Sequence, residues 1–172
     1  MFRVARIPAA LSLILLSLPQ AAGAASVQAS PTATGQALII KPLTLVRVAD
    51  MDFATLGVTT GGTATIDPVS GAMTVTGGLS RLGGTPSPAR YAGAASKQTV
   101  VNIRVPNQPV LIKRVGGTET LSVSSFTLDG QNKRVLAQQS SFTFAVGATI
   151  TVPSGTVDGL YTGVLDVTVQ YP

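Results

Sequence analysis

Apolar side chains recur at every second position in short runs along this chain. Val101, Ile103 and Val105 alternate with Asn102 and Arg104, and the same rhythm returns between residues 142 and 152. A period of two is typical of a β-strand with one buried face, because successive side chains point to opposite faces of the sheet. Glycine, proline, aspartate or asparagine interrupts the longer apolar stretches after residue 24, which argues against helices of more than a turn or two. Short strands broken by turns predict an all-β sandwich or barrel.

The longest alternating run occupies residues 161–171. Most of the residues on one side of the alternation are polar. The other side carries Tyr161, Leu165, Val167, Val169 and Tyr171. The pattern predicts a half-buried strand with these five side chains on its inner face.

Local irregularities are also expected. Leu121 and Val123 lie in one phase of the alternation and Phe126 and Leu128 in the other, which predicts a β-bulge between them. The sequence DGLY that ends at Tyr161 is typical of a corner in which the tyrosine hydroxyl bonds to the backbone a few residues upstream. Turns are expected at Gly61-Gly62, Asp67-Pro68, Val69-Ser70-Gly71, Gly77-Gly78, Gly83-Gly84, Gly116-Gly117, Asp129-Gly130 and Gly147.

The first 24 residues have the pattern of a cleaved signal peptide. Arg3 and Arg6 precede an apolar stretch at residues 7–18, and Ala22-Gly23-Ala24 offers small residues to a signal peptidase. A retained membrane anchor is the alternative, although a span usually needs about 20 apolar residues. We therefore expect general secretory export to the periplasm, cell surface or medium, with only transient membrane contact. Residues 25–36 are expected to form a flexible lead-in and residues 37–172 the folded domain.

The chain contains no cysteine and no histidine. It therefore cannot assemble a Ser-His-Asp triad, a Cys-His pair or an imidazole metal site. Its carboxylates leave open a glycosidase-type pair or a calcium site near Asp50, Asp52 or Asp129, but none of these continues into a recognisable calcium loop. No basic run is interleaved with aromatic residues, so nucleic acid is not an expected partner. We expect no catalytic residue, no metal, no cofactor and no enzymatic activity.

Several segments together resemble a known family. They read MDFATL (51–56), GGTATIDP (61–68), LGGTPSPARY (82–91), VGATITVP (146–153), GLYTG (159–163) and VTVQY (167–171). This order resembles the secreted bacterial family catalogued as domain of unknown function 4402, over residues 39–171. It is more distantly similar to spore-coat-protein-U-type and chaperone–usher pilin domains. The resemblance implies an immunoglobulin-like antiparallel β-sandwich at the cell surface, without catalytic residues. Ala54 and Ala148 stand where we would expect glycine.

A structural or surface-interaction role is the expected function, with a minor fibre or coat subunit as one form of it. Its partner would be a second copy of the chain or an assembly chaperone. In pilin-type fibres an extended arm of one subunit adds a strand to the sheet of its neighbour. Val27, Ala29, Pro31 and Ala33 alternate with polar residues as such an arm requires. These side chains are small and Pro31 has no N–H to donate, so a linker is the favoured interpretation.

Further interpretations stay open at this point. The C-terminal run, with Tyr171 as its penultimate residue, resembles the last strand of many chaperone–usher subunits. The favoured interpretation is the last core strand of a self-complete sandwich. A module that binds a glycan or another extracellular ligand through its Gly/Pro-rich loops is the alternative function, although three tyrosines and no tryptophan provide few stacking surfaces. A hydrolase with a carboxylate pair is the third.

Overall fold

The computed structural model describes residues 34–172, and these residues form β-strands and no helix. The all-β class predicted from the alternation is confirmed. A compact unit spans Leu38–Pro172. The predicted signal peptide lies outside the described residues. The strands are β1 (Thr44–Ala49), β2 (Thr55–Ile66), β3 (Met73–Gly83), β4 (Ala89–Ala94), β5 (Thr99–Arg104), β6 (Val110–Arg114), β7 (Thr120–Leu128), β8 (Lys133–Leu136), β9 (Ser141–Val152), β10 (Tyr161–Thr162) and β11 (Thr168–Gln170).

The strands form two antiparallel sheets, and β9 is a central strand of the larger one. The larger sheet has eight strands in the order β1-β4-β9-β7-β6-β10, and β2 and β3 join it beside β9. The first half of β9 pairs with β4 and its last four residues pair with β2, while β7 follows its opposite edge. The smaller sheet has three strands in the order β11-β5-β8.

The two sheets pack face to face around a first core. Side chains of β4 and β9 from the larger sheet meet side chains of β5 and β8 from the smaller one. The rings of Tyr91 and Phe144 stack with their centroids 5.2 Å apart. The predicted antiparallel β-sandwich is therefore confirmed. The buried members of this core are Ala89, Tyr91, Ala95, Val101, Ile103, Leu136, Phe142, Phe144 and Val146.

A second core lies along the other half of β9, among strands of the larger sheet. Leu56, Val75 and Ile112 are partly buried against it. Its buried members are Ala64, Leu79, Leu121, Val123, Ala148, Ile150 and Val152. One twelve-residue strand, β9, thus supplies both cores.

The C-terminal run is not one strand, although its inner face was predicted correctly. β10 pairs with β6 in the larger sheet and β11 pairs with β5 in the smaller sheet, while residues 163–167 belong to no strand. The five predicted inner residues are all partly buried. The chain changes sheets between Gly163 and Val167, so its backbone cannot remain paired with one sheet over this stretch.

Three predicted turns lie inside strands instead. Gly61-Gly62 belongs to β2, Gly77-Gly78 to β3, and Gly147 to the middle of β9. Gly61 and Gly77 have φ angles of 82° and 68° at the point where the pairing of β2 and β3 shifts register. A Cβ on Gly62 would overlap the carbonyl oxygen of Thr76, and one on Gly147 would overlap that of Ile66. Glycine serves here for a bulge and for close backbone approach, which short-range patterns do not distinguish from turns.

Other local predictions are confirmed. The register of β7 shifts between Ser124 and Thr127, with Ser125 at a φ of 53°, where the phase change predicted a bulge. The turn after β2 closes through a hydrogen bond from the Gly71 amide to the Asp67 carbonyl, 2.9 Å long. The Asp67 carboxylate also accepts bonds from the backbone and hydroxyl of Ser70.

Candidate functional site

An apolar groove of about 610 Å³ opens over the second core. Its floor consists of inward-facing aliphatic side chains of β6, β7 and β9, which the alternation along these strands places on one face. The floor residues are Val110, Ile112, Leu121, Val123, Ile150 and Val152. The two walls are residues 51–58 together with Leu82, and residues 156–165 other than Thr162. We call this feature the apolar groove.

The first wall exists because β2 separates from β9. Their pairing covers only residues 62–65 of β2. Beyond the glycine bulge, residues 55–58 continue in partnership with β3 alone within the described chain. One edge of this stretch is therefore bonded to β3, and the other has no strand beside it in residues 34–172. An unpaired edge next to an apolar surface is a template for an added strand.

The second wall is a short strand held by a tyrosine corner. β10 pairs with β6 only at Lys113 and Arg114. The Tyr161 hydroxyl donates a 2.7 Å hydrogen bond to the carbonyl of Val157, which confirms the predicted corner. Gly163 then passes so close to Ile112 that a Cβ would overlap its side chain. These contacts fix the loop that carries Val157, Leu160 and Val164 along the groove.

Large apolar side chains on the rim of the groove remain exposed. Leu160 and Val164 are 68% and 76% exposed, and Leu82 and Val157 are also exposed. Each Å² of apolar surface left in water forgoes roughly 25 cal/mol of burial free energy. A cluster of such side chains around a groove marks an interaction surface, unlike single exposed residues.

The chain segment before β1 carries two further exposed apolar residues. Leu38 is 89% and Ile39 92% exposed. Immediately after them the backbone is anchored: the Lys41 amide donates to Ser96 Oγ at 2.6 Å, and the Tyr171 hydroxyl donates to the Lys41 carbonyl at 2.8 Å. The Ser96 amide donates to the same hydroxyl at 3.1 Å. Tyr171 thus fastens the start of the domain to its last strand.

The structure separates the candidate residues chosen from the sequence. Tyr161 and Leu165 line the apolar groove, and Leu165 also packs against the first core. Val167, Val169 and Tyr171 pack instead against the first core. Val27 and Ala29 lie outside the described residues. The predicted inner face of residues 161–171 therefore contributes to both the apolar groove and the first core. Only the residues up to Leu165 line the groove.

The acidic side chains mostly bind close neighbours in the sequence. Asp50 pairs with Arg47, Asp129 pairs with Arg134, and Glu119 pairs with Arg114. The hydrogen bond from Arg114 Nε to Glu119 Oε2, 2.7 Å long, is the main cause that lowers the pKa of this carboxyl from 4.5 to about 2. Hydrogen bonds from Ser70 lower the pKa of Asp67. Among residues 34–172, no three acidic side chains converge as metal ligands would. In the same residues, no helix has the length and apolar character needed to cross a bilayer.

Comparison with known families identifies the domain. The family model described as a domain of unknown function, DUF4402, matches residues 43–171, which make up most of the chain and include all eleven strands. The chain belongs to the DUF4402 family. No curated protein and no solved structure is significantly similar to it. Both walls of the apolar groove lie inside the part of this DUF4402 protein that the family model covers.

Sequence reasoning missed the first wall and the exposed apolar segment. Phe53 is out of phase with Leu56 and Val58, so the stretch does not alternate throughout as a strand with one buried face would. The left-handed Ala54 lies where the phase changes. The three consecutive apolar residues 38–40 were a usable signal. The sequence places them in the folded domain, where apolar residues are expected to be buried, so their exposure is not predicted.

Proposed function

We propose that this DUF4402 protein is an exported, non-catalytic structural protein that associates by taking an extended peptide strand into the apolar groove. It would serve as a fibre or coat subunit at the cell surface. The observation that carries the proposal is the strand edge at residues 55–58, which has no partner among residues 34–172 and lies beside an apolar floor with an exposed apolar rim.

The groove supplies both components of strand addition. Main-chain hydrogen bonds to residues 55–58 would hold the peptide, and the floor would take every second side chain. Aliphatic side chains such as Ile112, Val123 and Ile150 favour aliphatic groups on the incoming strand. A peptide of five or six residues has the usual length of a strand in a sheet.

The signal-peptide pattern supports export. Arg3 and Arg6, the apolar stretch and the small residues before position 25 are the features that general secretion requires. A cysteine-free domain with two apolar cores has no need of disulfide formation after export. Export places the groove where a second subunit is available.

A glycan-binding module is the alternative function. Phe53, Phe126 and Tyr161 line the groove, but all three are partly buried against the second core. Their faces are therefore less available for stacking on a sugar, and a peptide strand is the better fit. A glycan array probed with and without calcium tests this alternative.

Substitutions on the groove rim test the proposed function. Leu160→Lys together with Val164→Lys places two charges where an apolar strand would lie. Because both residues are highly exposed, we expect the variant to keep its fold. We expect the double variant to lose association that the parent protein shows by sedimentation, with an unchanged melting curve. Val69→Lys with Val135→Lys is the matched control, because these residues are 71% and 70% exposed and lie outside the groove. Equal association of all three proteins, or a parent protein that stays monomeric with no partner, contradicts the proposal.

A further inference from the structure

We infer that the outer face of the smaller sheet binds an acidic polysaccharide. This inference goes beyond the proposed function, because none of the three strands of this sheet lines the apolar groove. Val101 and Ile103 of β5 and Leu136 of β8 are buried in the first core, so the residues that alternate with them point outward. We call the outward side chains the outer polar face; they are Val100, Asn102, Arg104, Gln131, Lys133, Val135, Thr168 and Gln170.

The register of the three strands arranges the six polar side chains of this face in two rows. Pairing of β5 with β8 continues to the Ile103 amide, which donates to the Asn132 carbonyl at 2.7 Å, so Gln131 comes opposite Arg104. Partners on adjacent strands are about 5 Å apart and diagonal neighbours, such as Arg104 and Lys133, about 7–8 Å. One row is Thr168, Arg104 and Gln131, and the other is Gln170, Asn102 and Lys133.

The two cations of the outer polar face have no carboxylate partner in the described chain. The ion pairs among residues 34–172 include neither Arg104 nor Lys133. Two acids come close along the chain: Asp129 is held by Arg134 at 2.7 Å, and Asp166, just before β11, pairs with neither cation. None of the eight outward side chains is acidic. The face therefore attracts anions.

A polar cleft of about 510 Å³ continues the outer polar face around the edge of β8. Lys133 and Gln131 belong to both the face and the cleft. The cleft adds Arg134, Gln139 and Thr143 as further polar side chains, and none of the residues that line it is acidic. The two features together offer cations and amides over an area that accommodates several sugar units.

The chemistry of this surface favours an acidic polysaccharide over other anionic partners. Amide side chains both donate and accept hydrogen bonds, as sugar hydroxyls require, while arginine and lysine bind carboxylates. The central strand β5 is paired on both sides, so the face offers no backbone groups to an added peptide strand. It has no aromatic ring on which a nucleic-acid base could stack, and two valines are too little apolar surface to enter a bilayer.

Binding of alginate, a polymer of carboxylated sugars, tests the inference. We expect the full exported chain to bind alginate at low salt, more weakly as salt is added, and not to bind the neutral glucan pullulan. Arg104→Gln with Lys133→Gln should weaken binding about 10-fold, as the loss of two exposed ion pairs would. Arg81→Gln with Lys113→Gln is the matched control, because these cations are also exposed, lie on the larger sheet and form no ion pair among residues 34–172.

A second variant separates a built site from general attraction between charges. Gln170→Ala leaves the charge unchanged and should still weaken alginate binding about 2- to 5-fold, since it removes hydrogen bonds to the sugar. Absence of alginate binding overturns the inference, and so does an equal loss in the two double variants. Binding to phosphatidylglycerol vesicles as tight as to alginate, and lost with the same two cations, identifies a lipid surface and also overturns it.

Discussion

Two alanines stand at positions where the resemblance led us to expect glycine, and only one of them has a positive φ. Ala54, which stands where glycine was expected, has a φ of 59° in the left-handed region. A Cβ in this conformation is close to the following carbonyl, at a cost of roughly 1–2 kcal/mol. The residue lies in the first wall of the apolar groove, so the strain is located beside the proposed binding edge.

Ala54→Gly is therefore expected to stabilise the protein by about 1 kcal/mol, allowing for the greater freedom of glycine in the unfolded chain. Urea unfolding of the parent and the variant measures the difference. Ala148→Gly is the control, because Ala148 is the other alanine that stands where we expected glycine. Ala148 is fully buried in β9 without a positive φ, so its substitution should lower the free energy of unfolding by about 1–2 kcal/mol. A loss of stability in Ala54→Gly contradicts the strain assigned to this position.

Glu119 provides a pH-dependent prediction. Its pKa in the folded protein is about 2, lowered from 4.5 chiefly by the hydrogen bond from Arg114. The carboxylate thus stabilises the fold above pH 4.5, and this contribution disappears as the pH falls from 4.5 towards 2. Glu119→Gln should lower the free energy of unfolding at neutral pH. Its effect should become progressively smaller as the pH falls from 4.5 towards 2. Denaturant unfolding at several pH values checks this, and Arg114→Gln should remove most of the pH dependence of the difference. If the difference in the free energy of unfolding between the parent and Glu119→Gln does not change with pH, the stabilising role of the Arg114–Glu119 ion pair is contradicted.

For individual strands, the sequence predicts which side chains are buried more reliably than which strands pair with each other. Alternation identified the inner residues of β5 and β9 and the inner face of residues 161–171, because burial follows the two-residue period. It did not show that β10 and β11 belong to different sheets, because partner choice depends on strands far away in the sequence. The glycines of β2 and β3 were assigned to turns for a related reason: a bulge and a turn use the same backbone freedom.

The end of the C-terminal run makes a prediction about an element. Tyr171, just after β11, binds the backbone of Lys41 and Ser96 through its hydroxyl. Tyr171→Phe keeps the ring in the first core but removes both hydrogen bonds. We expect a loss of roughly 1–3 kcal/mol in the free energy of unfolding, at the usual net value of a hydrogen bond. Tyr161→Phe, which removes one bond, is the comparison and should cost less. The opposite order in urea unfolding contradicts the anchoring role of Tyr171.

At the scale of the molecule, the sequence predicted the sandwich but not the groove. The sandwich follows from strand patterns that are local in the chain. The groove joins residues 51–58 to residues 156–165, about a hundred positions apart, and neither stretch has a pattern that indicates the other. The groove is a candidate interaction surface because the apolar side chains of its rim are exposed to solvent, and residues 38–40 are exposed as well. This exposure can be seen only in the folded chain.

Residue-resolved amide exchange at residues 55–58 tests most directly the claim that this strand edge, unpaired within residues 34–172, accepts another strand. The parent protein in its associated form is compared with the Leu160→Lys, Val164→Lys variant. We predict that amides of this stretch which are not bonded to β3 exchange much more slowly in the associated parent, since an added strand would bond them. Equal exchange in the two proteins, with association intact in the parent, would contradict strand addition at this edge.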